Sequence, residues 1–188
     1  MSTFYDYLKF DDERLKGIFY GWDGFGGNHG AVLKKCASLL KGRSVLDVGC
    51  GLCHLYELLK DDLDEYVGLD IDERVVGWAR ERYPELDIRV GDSNNLSEYG
   101  MYDTVYAIGL WRKIESIEGV KELLRHADKS MVLTYFHHAT EEDAIPKPLW
   151  GLIRNESVAS VEVIGSKILG TDILRINKKH NNLILVGH

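Results

Sequence analysis

Between Val45 and Leu59 the chain reads VLDVGCGLCHLYELL, and its residue types support several chemistries at once. Cys50 and Cys53, followed by His54, fit C-x-x-C-H, the pattern through which thiols anchor a haem. The same cysteines have the spacing of half a zinc knuckle, and of a redox dithiol. The overlapping Asp47-Val48-Gly49-Cys50-Gly51 is an acidic, glycine-rich turn of the kind that lets bare backbone approach a nucleotide-type cofactor. Two more acids, Asp70 and Asp92, stand at the ends of the next two short apolar runs. Farther on, His137-His138 follows another such run, and an imidazole titrates near neutrality, where it can carry a proton.

The elements needed to position these groups follow from periodicity. SVLDV, EYVGLD, LDIRVGD, YDTVYAIGL and SMVLTYF are short apolar runs that predict buried strands. Between them, LCHLYELLK, DERVVGWARERYP and SIEGVKELLRHAD have helical spacing, with Asp72 as an N-cap and Pro84 just past a helix end. Leu52, Leu55, Leu58 and Leu59 predict the inward face of the first of these helices. Ahead of them, Tyr5, Leu8, Leu15 and Ile18 predict one helix. Val32, Leu33, Cys36, Leu39 and Leu40 predict a second, stopped near Gly42. The aromatic, glycine-rich YGWDGFGGNHG forms a loop between them. After Pro146 and Pro148 a short helix, LWGLIRN, and three strand-like runs are expected, with Asn181-Asn182 turning a terminal hairpin. Alternating strands and helices predict an α/β fold with a mostly parallel sheet.

Composition narrows the chemistry. The 188 residues are 45% hydrophobic, 28% charged and 10% aromatic, an ordinary globular balance for one domain spanning 1–188. A net charge of −7 gives little attraction to phosphate, so nucleic acid is a disfavoured partner. Three cysteines do not make a disulfide framework, and MSTFYDYLKFDDERLKG lacks the apolar core of an export signal. No apolar run approaches the roughly 20 residues that span a bilayer, so no membrane partner and a reducing cytoplasm are expected. Haem attachment of this type normally belongs to exported chains. A structural zinc needs four ligands, and no second pair follows. A nicotinamide turn needs G-x-G-x-x-G, but His54 occupies the place of its third glycine. No metal ligand is assigned. A purely structural α/β domain is the plain alternative.

The turn resembles the D/E-x-G-x-G-x-G pattern of the class I S-adenosylmethionine-dependent methyltransferases, with Cys53 where the third glycine usually stands. The resemblance continues through YVGLDID, IRVGDSNNL and YDTVYAIG, so that it covers about residues 41–136. It implies a Rossmann-like fold: a mostly parallel seven-stranded sheet with helices on both faces and an antiparallel C-terminal strand. Residues 1–40 would supply N-terminal helices and an aromatic, glycine-rich lid, and residues 41–188 the core.

By that resemblance the cofactor is S-adenosyl-L-methionine and the product S-adenosyl-L-homocysteine. Asp47 would help hold the amino group, and Gly49, Cys50 and Gly51 would line methionine and ribose. Asp70 would take the ribose hydroxyls, Asp92 and Ser93 the adenine edge, and Ile71, with Leu96, the adenine faces. Ile108 ends the fourth strand beside the methyl, and Tyr20, with Trp22, Phe25 and His29, belongs to the lid. His137 and His138 are the candidate general bases, near Tyr135, Trp111, Arg112 and Glu115. Amino-methylating enzymes of DNA, RNA and glutamine carry Asn/Asp-Pro-Pro-aromatic after the fourth strand. Here the chain reads Ala107-Ile108-Gly109-Leu110-Trp111, without proline. A small-molecule acceptor is expected. The alternatives are an RNA or protein methyltransferase, or an inactive cofactor-binding subunit of a partner enzyme.

Overall fold

The computed structural model describes residues 10–20, 27–93, 95–110, 117–136, 158–166 and 171–178. Along them run α1 (Asp12–Tyr20), α2 (Gly27–Ala37), β1 (Ser44–Val48), α3 (His54–Leu59), β2 (Glu65–Asp70), α4 (Glu73–Arg82) and β3 (Asp87–Val90). The second half supplies β4 (Tyr102–Ala107), α5 (Ile117–Arg125), β5 (Ala127–Phe136), β6 (Val158–Ser166) and β7 (Thr171–Lys178). The strands form one sheet in the order β3-β2-β1-β4-β5-β7-β6. β1 to β5 pair in parallel, while β7 runs antiparallel to both β5 and β6. The expected α/β architecture, mostly parallel with an antiparallel C-terminal strand, is borne out.

Parallel strands bury both faces, so successive side chains feed two separate cores. Leu46, Val48, Val105, Ala107, Met131 and Leu133 point into one, against Val120, Leu123 and Leu124 of α5. Val45, Tyr106 and Val132 point into the other, against Leu15 of α1, Val32 and Cys36 of α2, Leu55 and Leu59 of α3, and Val75, Val76 and Ala79 of α4. Helices therefore cover both faces. Each fully buried aliphatic side chain contributes about 1.5–3 kcal/mol. By the period-two rule Asp47, between Leu46 and Val48, belongs to the second of these layers.

Topology fixes where a ligand cleft lies. From β1 the chain steps outward to β2 and β3, then returns to β4 on the other side of β1 and continues to β5. The sheet order reverses between β1 and β4, and cofactor clefts form at the carboxyl ends of strands at such a point.

Several expectations are corrected. The second helix starts at Gly27, inside the supposed loop, and ends at Ala37 rather than near Gly42. Its packing through Val32 and Cys36, and the Tyr106 hydroxyl donating to the Cys36 carbonyl at 3.3 Å, outweigh the poor helix propensity of Gly27 and Gly30. β5 begins at Ala127, within a stretch read as the end of a helix. Leu58 is only half-buried. The strand-like runs at 158–166 and 171–178 pair antiparallel as β6 and β7, with Ser166 opposite Thr171. LWGLIRN, Asn181-Asn182 and the final strand-like run lie outside the described residues.

Candidate functional site

The turn after β1 is a series of left-handed residues. Gly49 has φ 75°, Gly51 φ 55° and Cys53 φ 56°, alternating with ordinary residues. Glycine reaches this region freely, whereas an L side chain meets its own backbone there, at a cost of about 1–2 kcal/mol. The three positions of the G-x-G-x-G pattern thus share one conformation, and Cys53 adopts it despite its Cβ. Its side chain is fully buried between the turn and β2. Gly68 makes the room: a Cβ there would lie 3.0 Å from Cys50 Sγ and 3.4 Å from Cys53 Sγ. An isolated glycine inside a strand often marks such a close approach.

A clean readout of this strain compares two variants. Cys53→Gly is expected to be more stable than Cys53→Ala by about 1 kcal/mol in chemical denaturation, the reverse of the usual order. Equal stability, or alanine ahead, would show that the left-handed backbone carries no such cost.

The dithiol reading weakens at the same place. Hydrogen bonding to Cys53 and burial, with further contributions from nearby charges, hold the Cys50 thiol well above its ordinary pKa. The thiolate is the reactive form, so at neutral pH Cys50 is a packed thiol. All three cysteines are free and buried. Among the described residues no three His, Cys, Asp or Glu side chains are grouped to hold a metal.

Asp70, at the end of β2, ties the turn to the next helix. Its Oδ2 accepts from the Gly51 N–H at 3.1 Å and its Oδ1 from the Asp72 N–H at 3.0 Å. Gly49 and Cys50 both donate backbone N–H to the Leu69 carbonyl, at 2.7 and 2.8 Å, which fastens the turn to the same strand. Asp72 caps α4 as expected, its Oδ1 accepting from the Arg74 N–H at 3.0 Å. Beside Asp70, Ile71 is 45% exposed, open to a planar ligand face.

Asp47 is 3% exposed and accepts the Tyr66 hydroxyl at 2.6 Å. Burial pushes its carboxyl up to about 7; the Tyr66 hydrogen bond opposes that rise and the Asp70 charge adds to it. At the end of β3, Asp92 is exposed, with the Ser93 hydroxyl 3.4 Å from its Oδ1. Ile108 is half-buried beyond β4, and Tyr20 is exposed at the end of α1. Leu96 is fully buried in the core and cannot cover an adenine face. His29 is exposed on α2. Trp22, Phe25, Trp111, Arg112, Glu115, His137 and His138 lie outside the described residues, as does the Tyr135 side chain.

The structure adds residues that spacing did not reveal. The Phe19 ring stands over the turn, where a Cβ on Gly51 would meet it at 3.0 Å. A Cβ on Gly49 would overlap the Leu110 side chain at 2.6 Å. Tyr66 reaches Asp47 because it precedes Gly68, the register partner of Asp47, by two residues on the same face. The single glycine in YVGLD was the one local signal. An open cavity of about 560 Å³, lined by Lys34, Ser38, Arg43 and Asp62 among others, lies at the opposite, amino end of β1, away from these acids.

A sheet ordered 3-2-1-4-5-7-6, with a glycine turn after its first strand and an acid closing its second, defines the class I methyltransferase architecture. Residues 45–131 match the family model described as a methyltransferase domain. Over 75 residues the chain is 40% identical to a protein of Mycolicibacterium smegmatis named "Probable S-adenosylmethionine-dependent methyltransferase", covering 40% of this chain and 28% of that one. Among solved structures it is similar to magnesium protoporphyrin IX methyltransferase from Synechocystis with bound SAM (TM-score 0.60, 22% identity, 95% and 92% of the two chains). It is also similar to the N-methyltransferase NodS of Bradyrhizobium japonicum in complex with S-adenosyl-l-homocysteine (TM-score 0.65, 15% identity, 93% and 95% covered). The fold is thus that of the class I S-adenosylmethionine-dependent methyltransferases, and residues 45–131, just under half of the chain, match a methyltransferase domain.

Proposed function

We propose that this chain is an S-adenosylmethionine-dependent methyltransferase that transfers a methyl group to a small-molecule acceptor and releases S-adenosylhomocysteine. The observation that carries the reading is Asp70, whose carboxylate closes β2 while gripping the bare turn through the Gly51 N–H. The residues present fit the cofactor. Left-handed glycines shape the turn, a buried acid, Asp70, closes the neighbouring strand against it, and an exposed apolar side chain, Ile71, follows that acid. The domain 1–188, with residues 1–40 as its cover, acts as one unit in this reading.

When bound, S-adenosylmethionine supplies an electrophilic methyl on a sulfonium sulfur. Asp70 would accept the ribose hydroxyls in charge-assisted hydrogen bonds. Ile71 lies along one adenine face, and Asp92 with Ser93 receives the exocyclic amine. Asp47 and the Gly49–Gly51 backbone hold the amino-acid end, and Ile108 and Tyr20 border the methyl. In-line placement of an acceptor accounts for most of the acceleration, so no protein nucleophile is needed. Where the acceptor must lose a proton, His137 or His138 takes it.

A small acceptor is supported by the charge of −7 and by the lack of proline after β4. One structural neighbour acts, by its name, on magnesium protoporphyrin IX. A reducing cytoplasm suits three free thiols, and among the described residues no helix is long and apolar enough to cross a membrane.

Calorimetric titration with S-adenosylmethionine and S-adenosylhomocysteine tests the cofactor. Radiolabelled methyl, offered to separated metabolite, RNA and protein pools, tests the acceptor. Label should appear in the metabolite pool. Label in RNA or protein would overturn the acceptor class, and tight binding with no labelled pool would make the chain a non-catalytic subunit. Replacing His137 and His138 together by alanine should lower kcat about 10²-fold and remove the acidic limb of its pH profile. Turnover unchanged across pH would eliminate the base.

A further inference from the structure

Helix α1 is fastened at both ends to the two turns that carry the proposed cofactor residues. At its start, Arg74 Nη1 donates to the Phe10 carbonyl at 2.7 Å and to Asp12 Oδ1 at 3.2 Å. At its end, the His54 ring donates through Nε2 to the Phe19 carbonyl at 3.0 Å, and the Phe19 ring rests on Gly51. Leu15 is the one buried side chain of this nine-residue helix, a weak apolar anchor by itself. Phe10 and Phe19 pack against the same core from either end, and the polar latches fasten those two ends to α4 and α3.

Arg74 also faces inward. Its Nε and Nη2 clasp both oxygens of Asp72, at 3.0 and 2.7 Å. The Asp72 N–H donates to Asp70 Oδ1, and Asp70 Oδ2 holds the Gly51 N–H beneath Phe19. The contacts close a ring: α1, Arg74, Asp72, Asp70, Gly51 and back to α1 through Phe19. A ligand that fixes the Asp70 carboxylate fixes both halves of that ring.

We propose that Arg74 is a positioning residue that couples occupation of Asp70 by the cofactor's ribose to docking of α1, so that α1 retains the adenosine once it is bound. The inference rests on the cofactor reading above. Linkage makes the coupling reciprocal: if docked α1 strengthens binding by some factor, bound cofactor strengthens docking by the same factor. Arginine is required because one planar fork serves Asp72 with two donors while Nη1 reaches two further acceptors; a lysine ammonium lacks that geometry.

The test measures S-adenosylhomocysteine dissociation by stopped flow, together with tryptic cleavage after Arg14 and Lys16 in α1. In the wild type, ligand should slow that cleavage at least tenfold. In Arg74→Gln, ligand protection should fall below threefold and dissociation should accelerate about tenfold, with the association rate little changed. Arg74→Lys should behave like Arg74→Gln, because charge alone does not rebuild the fork. Asp12→Asn, which weakens the link only on the α1 side, should shift dissociation two- to threefold in the same direction and guards against a folding defect in α4. Wild-type dissociation and protection in Arg74→Gln would overturn the coupling, and full rescue by lysine would overturn its geometric basis. A wild-type protein that binds neither S-adenosylmethionine nor its product would fail the functional reading, and the coupling with it, an outcome distinct from normal binding with unaltered variants.

Discussion

Asp70→Ala is expected to weaken S-adenosylhomocysteine binding about 10²- to 10³-fold in calorimetry. In the proposed site two ribose hydroxyls would lose a charged acceptor, and hydrogen bonds to charged groups are each worth about 1.5–3 kcal/mol. The loss extends beyond the ligand. The Gly51 and Asp72 N–H groups, now donating to the same carboxylate at 3.1 and 3.0 Å, also lose their acceptor. Unfolding stability should therefore fall as well, by about 1–3 kcal/mol. Asp70→Asn separates the two effects: it preserves volume and one acceptor oxygen, but its NH2 opposes one of those N–H donors. It should keep more of the stability than alanine while still binding at least tenfold more weakly than the wild type. Unchanged affinity in both variants would reject Asp70 as the ribose acid.

The second large effect concerns Asp47 and pH. Burial raises its folded pKa to about 7 against the Tyr66 hydrogen bond, whereas the unfolded carboxyl titrates near 3.8. Below the unfolded value both states hold the proton. Between the two values the folded chain keeps a proton that the unfolded chain has released. The unfolded state then binds fewer protons, so stability falls as pH rises through this window, by up to about 1.4 kcal/mol per unit. Above about 7 the loss levels off, at a total on the order of 4 kcal/mol. Asp47→Asn carries no proton to lose and can still accept from Tyr66. The difference in unfolding free energy between variant and wild type should be near zero at pH 4 and favour the variant by a few kcal/mol at pH 8. Parallel stability curves from pH 4 to 8 would dismiss the raised pKa. The stabilised variant should also bind cofactor less well, since the anion that strains the fold is the one assigned to the amino group.

Much of this frame was legible because strands announce themselves locally. SVLDV and EYVGLD are apolar and short, and become β1 and β2 at the predicted residues. Asp72 caps α4 as its place before a helical period required. The order of the acids along the strand ends was equally visible. The misses share a physical cause, which is that distant packing overrides local preference. Gly27 to Gly30 read as a loop, yet helix α2 extends through them because its apolar residues meet α1, α3 and the sheet. Ala127 and Asp128 looked like a helix end, but pairing between β4 and β5 draws them into a strand, with a register shift between Tyr102 and Thr104. Leu96 sits near the end of a strand-like run, and only tertiary burial shows it to be core. The ring of contacts through Arg74 joins residues 62 and 64 positions apart, a distance at which no periodic signal survives.

The insertion of β7 between β5 and β6 has a consequence for biosynthesis. A ribosome delivers β6 before the only strand it hydrogen-bonds to in the described structure, and the outer edge of β5 waits for that same late segment. Until Thr171–Lys178 has emerged, the nascent sheet presents one open border and one orphan ribbon, the kind of unpaired backbone that chaperones shield. That half of the sheet is joined only once β7 pairs with β5 on one side and β6 on the other.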